Sequence, residues 1–429
     1  MKQSAISIGL IGFGTVGAGV VKILLDKGDD LKSRLGFPIV IGKIADLDIK
    51  RDRGVKLPPG ILIKDAREII KDPSIDIVVE LIGGIHPAKD IILSAIKNGK
   101  HVVTANKALL ATEGTEIFSA AEKNMVELGF EGTVAGGIPI IRVVREALVG
   151  DRIEAIYGII NGTSNYILTR MTEEGIEFSK ALKDAQRLGY AEADPTLDVE
   201  GIDSAHKLAI LGSLSFGIPL SFKKIFTEGI TRITPLDIAF ALELGYKVKL
   251  LAIAKQADRE IELRVHPTML PEDYLIAKVD GVFNAIYIEG DAVGSTLYYG
   301  RGAGDMPTGS AVVSDIVDIA RDIKMGSVGR IPGLGQRLDE KVDLKIKEME
   351  DVASRYYFRF SAIDKPGVLS KISGILGSNN ISIESVIQKG RKKEKAVPLV
   401  MMTHEAKEKD VVHSLREIDK LAVIAGKSI

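Results

Sequence analysis

The stretch "AISIGLIGFGTVGAGVVKILLDK", residues 5–27, restricts the fold of this chain more than any other. An apolar, β-branched run ends on glycines and passes at once into apolar positions at helical spacing, which reads as strand, tight turn and helix. Gly12, Gly14 and Gly17 fit G-x-G-x-x-G. Gly12 permits the turn, Gly14 lets the backbone approach a pyrophosphate, and Gly17 lets helix and strand pack closely. The N–H groups of Phe13, Thr15 and Val16 are then expected as donors at a helix N-terminus. Alone the motif is equally a tight turn. Its place after a strand and before a helix, inside a βαβ unit, makes it a dinucleotide site.

The alternation continues through residue 135. "FPIVIGKIAD", "IDIVVELIG" and "KHVVTANK" read as strands, and "HPAKDIILSAIKNG" as a helix with proline in its first turn and glycine past its end. Strand and helix in turn predict an α/β domain over 1–135, a Rossmann-type doubly wound parallel sheet with helices on both faces. Asp46, closing the second strand, is the expected acceptor for a ribose 2′-OH and argues for NAD. Lys43, Lys50, Arg51 and Arg53 stand nearby as partners for a 2′-phosphate, so NADP stays open as well. Thr104 and Lys107 fall at the carboxyl edge of the same sheet, where ligands of open α/β folds lie.

From 136 to 310 the pattern is looser. "IEAIYGIING", "KKIFTEGITRIT", "LLAIAKQ" and "IELRVHPTML" are strand-like between helices, as in an α+β substrate domain that also dimerises. "GDMPTGSAVVSDIVDIARDIKMG" reads as a helix, 305–325, expected to pack back on the first domain. Residues 328–353 are polar enough for a linker. Residues 354–429 then give strand, helix, strand, strand, helix, a small ferredoxin-like βαββα unit.

Composition narrows the functions. A chain of 429 residues implies two or three domains. With 57 basic and 58 acidic residues the net charge is −1, which leaves no electrostatic footprint for nucleic acid or an anionic membrane. There is no charged-then-apolar leader and no apolar run long enough to span a bilayer, so a soluble cytoplasmic protein with a small-molecule partner is expected. The absence of cysteine removes disulfides and thioester chemistry. Six scattered histidines with no HExxH spacing argue against catalytic zinc.

Against that even charge, "EADPTLDVEGIDSAHK", residues 192–207, gathers Glu192, Asp194, Asp198, Glu200 and Asp203 before Lys207. Asp198 is expected to cap a helix through "VEGIDSAHKLAILGSLS"; Asp203 and Lys207, four apart, share a face, with Glu200 one turn earlier. An exposed i,i+4 pair would contribute only a few tenths of a kcal/mol. Five carboxylates around one lysine point instead to a site for a cationic ligand. His206 lies about 100° around the helix from the lysine and is read as packed or surface-facing.

"TANKALLA", "NGTSNYILTRM", "LGYAEADPTLDVEGIDSAHKLAIL" and "GRGAGDMPTGSAVVSDI", in this order, resemble the signature segments of the homoserine dehydrogenases. The resemblance runs from residue 5 to about 325, and "DKPGVLSKISGIL" with "NNISI" resembles the ACT domain of many members. It implies NADP- or NAD-dependent interconversion of L-aspartate 4-semialdehyde and L-homoserine on the path to threonine and methionine. By similarity Lys207 donates the proton, Asp203 orients it, and Lys107 lies beside the cofactor and polarises the carbonyl. Glu192 and Asp198 hold the amino acid, and Gly304 touches the nicotinamide. A monovalent cation, Na+ or K+, is implied near "FEGTVAGGIPI", with a carboxylate from Glu131 and carbonyls from Val134, Gly136 and Ile138. The ACT unit implies threonine as a feedback effector, with dimerisation alone as the alternative, and a homodimer or higher homo-oligomer is expected. Two rival readings stand: a short-chain dehydrogenase using Tyr274 and Lys278 of "YLIAK", and a non-catalytic NAD(P) and amino-acid sensor.

Overall fold

The computed structural model describes residues 5–336, 344–389 and 396–429. Strands β1 (Ile6–Ile11), β2 (Ile39–Ala45), β3 (Leu62–Ile63), β4 (Ile77–Glu80), β5 (His101–Thr104) and β6 (Leu128–Gly129) form a parallel sheet in the order β3-β2-β1-β4-β5-β6. This is the doubly wound order, and its switch point lies between β1 and β4, beyond whose carboxyl ends ligands bind. All four residues of β4 are buried, as a strand covered on both faces requires.

The helix Asp305–Met325, from far along the chain, completes this domain. It crosses the helix Thr15–Asp26 at Gly19 and Gly309: a Cβ on Gly19 would overlap the Asp305 carbonyl, and one on Gly309 would lie 3.0 Å from the Gly19 carbonyl carbon. Val312, Val313, Ile316 and Ile319 enter the core made by Ile8, Leu10, Val20 and Val79.

The second domain is built on a mixed sheet of β7 (Ile153–Ile159), β8 (Phe226–Thr227), β9 (Tyr246–Ala257), β10 (Glu260–Pro271), β11 (Phe283–Gly290), β12 (Gly294–Arg301) and β13 (Lys345–Ile346). The order is β12-β11-β7-β9-β10-β13, with β8 also on β10. The strand expected in "KKIFTEGITRIT" shrinks to the two residues of β8. Within the expected linker 328–353, Lys345 and Ile346 pair with Glu260 and Ile261, while 337–343 lie outside the described residues. A two-residue edge strand needs only backbone partners, which polarity does not reveal.

The last unit is a three-stranded antiparallel sheet of Tyr357–Ile363, Ala396–Thr403 and Ile383–Gln388, in that order, with helices Val368–Ser378 and Glu408–Ile418. It docks on the second domain through Asp237, whose carboxylate receives Arg359 Nε at 2.6 Å and Tyr357 OH at 2.9 Å. No helix among the described residues is long and apolar enough to cross a membrane.

Candidate active site

The helix Ile202–Phe216 is buried on nearly every side, so a charge on it needs a partner. Lys207 Nζ donates to Asp203 Oδ2 at 2.6 Å, the i,i+4 pair, and to the Ile160 carbonyl at 2.7 Å. An ammonium carries three donors, and two are spent here, which leaves one for a ligand. From the first domain, Lys107 Nζ reaches Asp203 Oδ1 at 3.2 Å. Lys107 can do so because it opens the helix Lys107–Lys123, which Asn106 caps by accepting from Leu109 N at 3.1 Å. Burial works against the charge on Asp203, but the two lysines and Asn161 overcome it and hold the carboxyl well below its ordinary range.

Asn161 is the residue that the sequence reading passed over. Its Nδ2 donates to Asp198 Oδ1 at 2.7 Å and to Asp203 Oδ2 at 2.9 Å. Its Oδ1 accepts from Ser164 N at 2.8 Å and so caps the helix Gly162–Glu174. The N-cap preference of asparagine is a signal for the second role only. Asp198 is pushed upward by burial, aided by the charge of Asp203 and opposed by Asn161.

Of the five carboxylates, Asp198 and Asp203 come together, joined by Asn161 beside Lys207, and no hydrogen bond among the described residues ties Glu192, Asp194 or Glu200 to them. Asp198 caps nothing: it lies in the short turn Thr196–Val199, and the N-cap of the lysine helix is Gly201 at φ 79°. That left-handed glycine resets the helical phase, so Glu200 is not one turn before Asp203 on its face. Asp194 accepts from Thr196 N at 3.1 Å and Oγ1 at 2.6 Å, and Glu192 is exposed. His206 packs on Phe222 with ring centroids 4.3 Å apart.

At the nucleotide end, Gly12 adopts φ 101°, and a Cβ there would sit 2.6 Å from the Leu81 carbonyl carbon; one on Gly17 would overlap the Gly12 carbonyl oxygen. A Cβ on Gly14 would meet nothing within 4 Å. The protein itself therefore does not require glycine at 14, and the free space suits a ligand. Thr15 and Val16 open the helix, where N–H groups have no intrahelical partner. Phe13 differs from expectation: its N–H is taken by Asp46 Oδ2 at 2.7 Å. Asp46 Oδ1 in turn pairs with Arg53 at 3.0 Å, and the guanidinium lies 5.0 Å from the centre of the Phe13 ring. Lys43 pairs with Asp72 at 3.0 Å. The Thr104 hydroxyl donates to Glu80 Oε2 at 2.7 Å and accepts from Asn106 N at 3.0 Å, tying β4 to β5.

The loops 134–138 and 301–304 interlock. Ala135 and Gly136 both take positive φ, 53° and 48°, Gly137 N donates to the Arg301 carbonyl at 3.0 Å, and Gly304 turns at φ 127° into the following helix. The two carboxylate oxygens of Glu131 accept from Ile141 N at 2.8 Å and Arg142 N at 2.9 Å. Its backbone N–H meets Asp315, which burial and the Glu131 charge push up to about 8. Among the described residues no group of three acidic or histidine side chains is placed to hold a metal ion. Tyr274, of the short-chain alternative, is 57% exposed on a turn after β10.

A dinucleotide-binding sheet whose edge lysine meets a buried lysine–aspartate pair of a second domain defines a nicotinamide-dependent oxidoreductase. The family models "Homoserine dehydrogenase, NAD binding domain", "Homoserine dehydrogenase" and "ACT domain" match residues 12–131, 139–317 and 356–423. The chain is 47% identical to homoserine dehydrogenase of Neisseria gonorrhoeae over 97% of its own length and 95% of that protein's. The crystal structure of a homoserine dehydrogenase from Thiobacillus denitrificans matches with a TM-score of 0.94 at 48% identity, covering 99% of this chain and 97% of the other. A hyperthermophilic archaeal homoserine dehydrogenase in complex with NADPH matches with a TM-score of 0.63 at 27% identity, over 74% of this chain and 98% of that one. The chain belongs to the homoserine dehydrogenase family.

Proposed function

We propose that this protein interconverts L-aspartate 4-semialdehyde and L-homoserine in the cytoplasm with NADP or NAD. The observation that carries the proposal is the convergence of Lys107 and Lys207, from different domains, on the buried Asp203. A nicotinamide cofactor, when bound, would supply hydride chemistry at the aldehyde carbon. Lys207, held by Asp203 and the Ile160 carbonyl, places its remaining N–H on the substrate oxygen and transfers a proton as negative charge grows there. Lys107 adds a second positive group at the same oxygen. Asp198, fixed by Asn161, accepts the substrate ammonium with Glu192 from the exposed loop. Thr15 and Val16, at the helix N-terminus, would donate to the pyrophosphate beside Gly14, and Gly304 would hold the nicotinamide.

The Asp46–Arg53 pair bears on the cofactor: with Arg53 turned outward Asp46 takes a ribose hydroxyl, and with Arg53 facing the ribose a 2′-phosphate is paired. Absorbance at 340 nm with homoserine and each cofactor tests both claims. The ratio of kcat/KM values gives the preference, and no turnover with either cofactor refutes the activity and favours the sensor reading.

A Na+ or K+ at the interlocked loops would rest on the carbonyls of Val134, Gly136 and Ile138. Glu131 accepts one backbone N–H on each carboxylate oxygen, which holds the group in place and leaves a lone pair on each oxygen for the ion. Replacing Na+ and K+ by choline tests the cation. Threonine is the proposed effector of the ACT unit, because a cavity there is lined by Asp364, Gly367 and Gln388, and Asp364 Oδ2 is buried with no partner. Calorimetric titration of threonine with inhibition kinetics tests it; no binding and unchanged rates favour a purely dimerising unit. Light scattering tests the homodimer or higher assembly.

A further inference from the structure

Asn284 is the second residue of β11, opposite Gly300 of β12, and is 1% exposed. Neither its Oδ1 nor its Nδ2 has a hydrogen-bond partner, and among the described residues it is the only side chain with two such atoms. Its surroundings are specific. A Cβ on Gly302 would overlap the Asn284 amide, so that amide lies directly against the glycine-rich loop. On its other side Oδ1 is 3.7 Å from where a Cβ on Gly162 would be, one residue beyond Asn161.

A buried amide with donor and acceptor both idle is costly, and leucine would fill a similar volume without that cost. The amide therefore marks a second arrangement in which both ends are paired. An ammonium offers only donors and a carboxylate only acceptors, whereas a peptide group offers one of each. The Gly302 backbone lies against this amide, and glycine at 302 and 304 lowers the resistance of that segment to rotation.

We propose that Asn284 is a positioning residue for the cofactor: when the nicotinamide enters, the 302–304 segment shifts and its peptide groups pair with the Asn284 amide, which fixes the loop against the ring. This rests on the proposed contact of that loop with the nicotinamide.

The test is Asn284→Leu in the full chain, read by thermal melting without cofactor and by fluorescence titration of NADPH and NADH. The cofactor-free Tm should stay level or rise, the Kd of the preferred cofactor should weaken about tenfold, the loss of roughly one hydrogen bond to an ordered group, and kcat should fall with it. A Kd within twofold of wild type overturns the proposal. So does a Tm that falls without cofactor, since that marks an ordinary structural amide. Hydrogen exchange of the wild type is an independent check: residues 302–304 should become protected on cofactor binding, and unchanged exchange overturns the inference. Wild-type turnover of homoserine separately tests the reaction, and its failure would leave these binding readouts intact.

Discussion

Gly14→Ala separates what the fold needs from what the ligand needs. Gly14 has φ −78° and ψ −155°, and an added Cβ meets no atom within 4 Å. Alanine lowers the entropy of the unfolded chain and so stabilises by about 0.4–1 kcal/mol at a compatible site. As an N-cap, alanine is poorer than glycine by a comparable few tenths to 1 kcal/mol. The two nearly cancel, and the Tm should move by no more than about 2 °C. Binding is another matter. On the proposed placement the methyl would occupy the space over which the pyrophosphate passes, and losing one charge-assisted hydrogen bond costs about 1.5–3 kcal/mol, a ten- to hundredfold weaker Kd. Gly17→Ala is the contrast, because its Cβ overlaps the Gly12 carbonyl oxygen and the backbone must give way. That variant should lose both stability and binding. NADPH titration and thermal melts on the two variants are sufficient. Gly14→Ala binding within twofold of wild type would refute the placement of the pyrophosphate, and a Tm drop as large as that of Gly17→Ala would refute the claim that the space is empty.

Further outcomes follow from the polar contacts. Asp203→Asn keeps the shape but gives Lys107 a donor to face, so kcat should fall by about ten- to a hundredfold, the loss of one or two charge-assisted bonds, with unchanged kcat as the contrary result. Asp203 has its carboxyl held down in the folded state, so its stabilising contribution is present above the unfolded pKa of about 3.9 and disappears as pH falls below it toward the folded value. The stability gap between wild type and Asp203→Asn should therefore be constant from pH 6 to 8 and narrow below about pH 4; denaturant melts across that range check it. Arg359→Met removes one partner of Asp237, a carboxylate 3% exposed, while Thr234 and Tyr357 still donate to it. Hydrogen exchange should rise in Pro235–Glu243 and Tyr357–Ile363, and unchanged exchange would show that this contact does not hold the last unit in place.

Much of this was legible in the sequence because the signals are local. The glycine spacing at 12–17, the strand–helix alternation and the i,i+4 relation of Asp203 and Lys207 depend on neighbours along the chain. What local pattern missed is long-range. The reach of Lys107 to Asp203 spans two domains. The role of Asn161 needs two carboxylates more than thirty residues away, and the capture of the Phe13 N–H by Asp46 needs β1 beside β2. For Glu200 the acidic cluster misled because Gly201 breaks the expected helix in two. Counting carboxylates across a left-handed turn treats as one face what the backbone separates.

The central claim is that Lys207, aimed by Asp203 and the Ile160 carbonyl, delivers the proton. Lys207→Met removes the donor while preserving much of the side-chain volume, and Lys107 remains to pair Asp203. With homoserine and the preferred cofactor, kcat should drop about a hundred- to ten-thousandfold, the range for a lost general acid or base, while cofactor Kd stays within twofold. Turnover within tenfold of wild type would contradict the account.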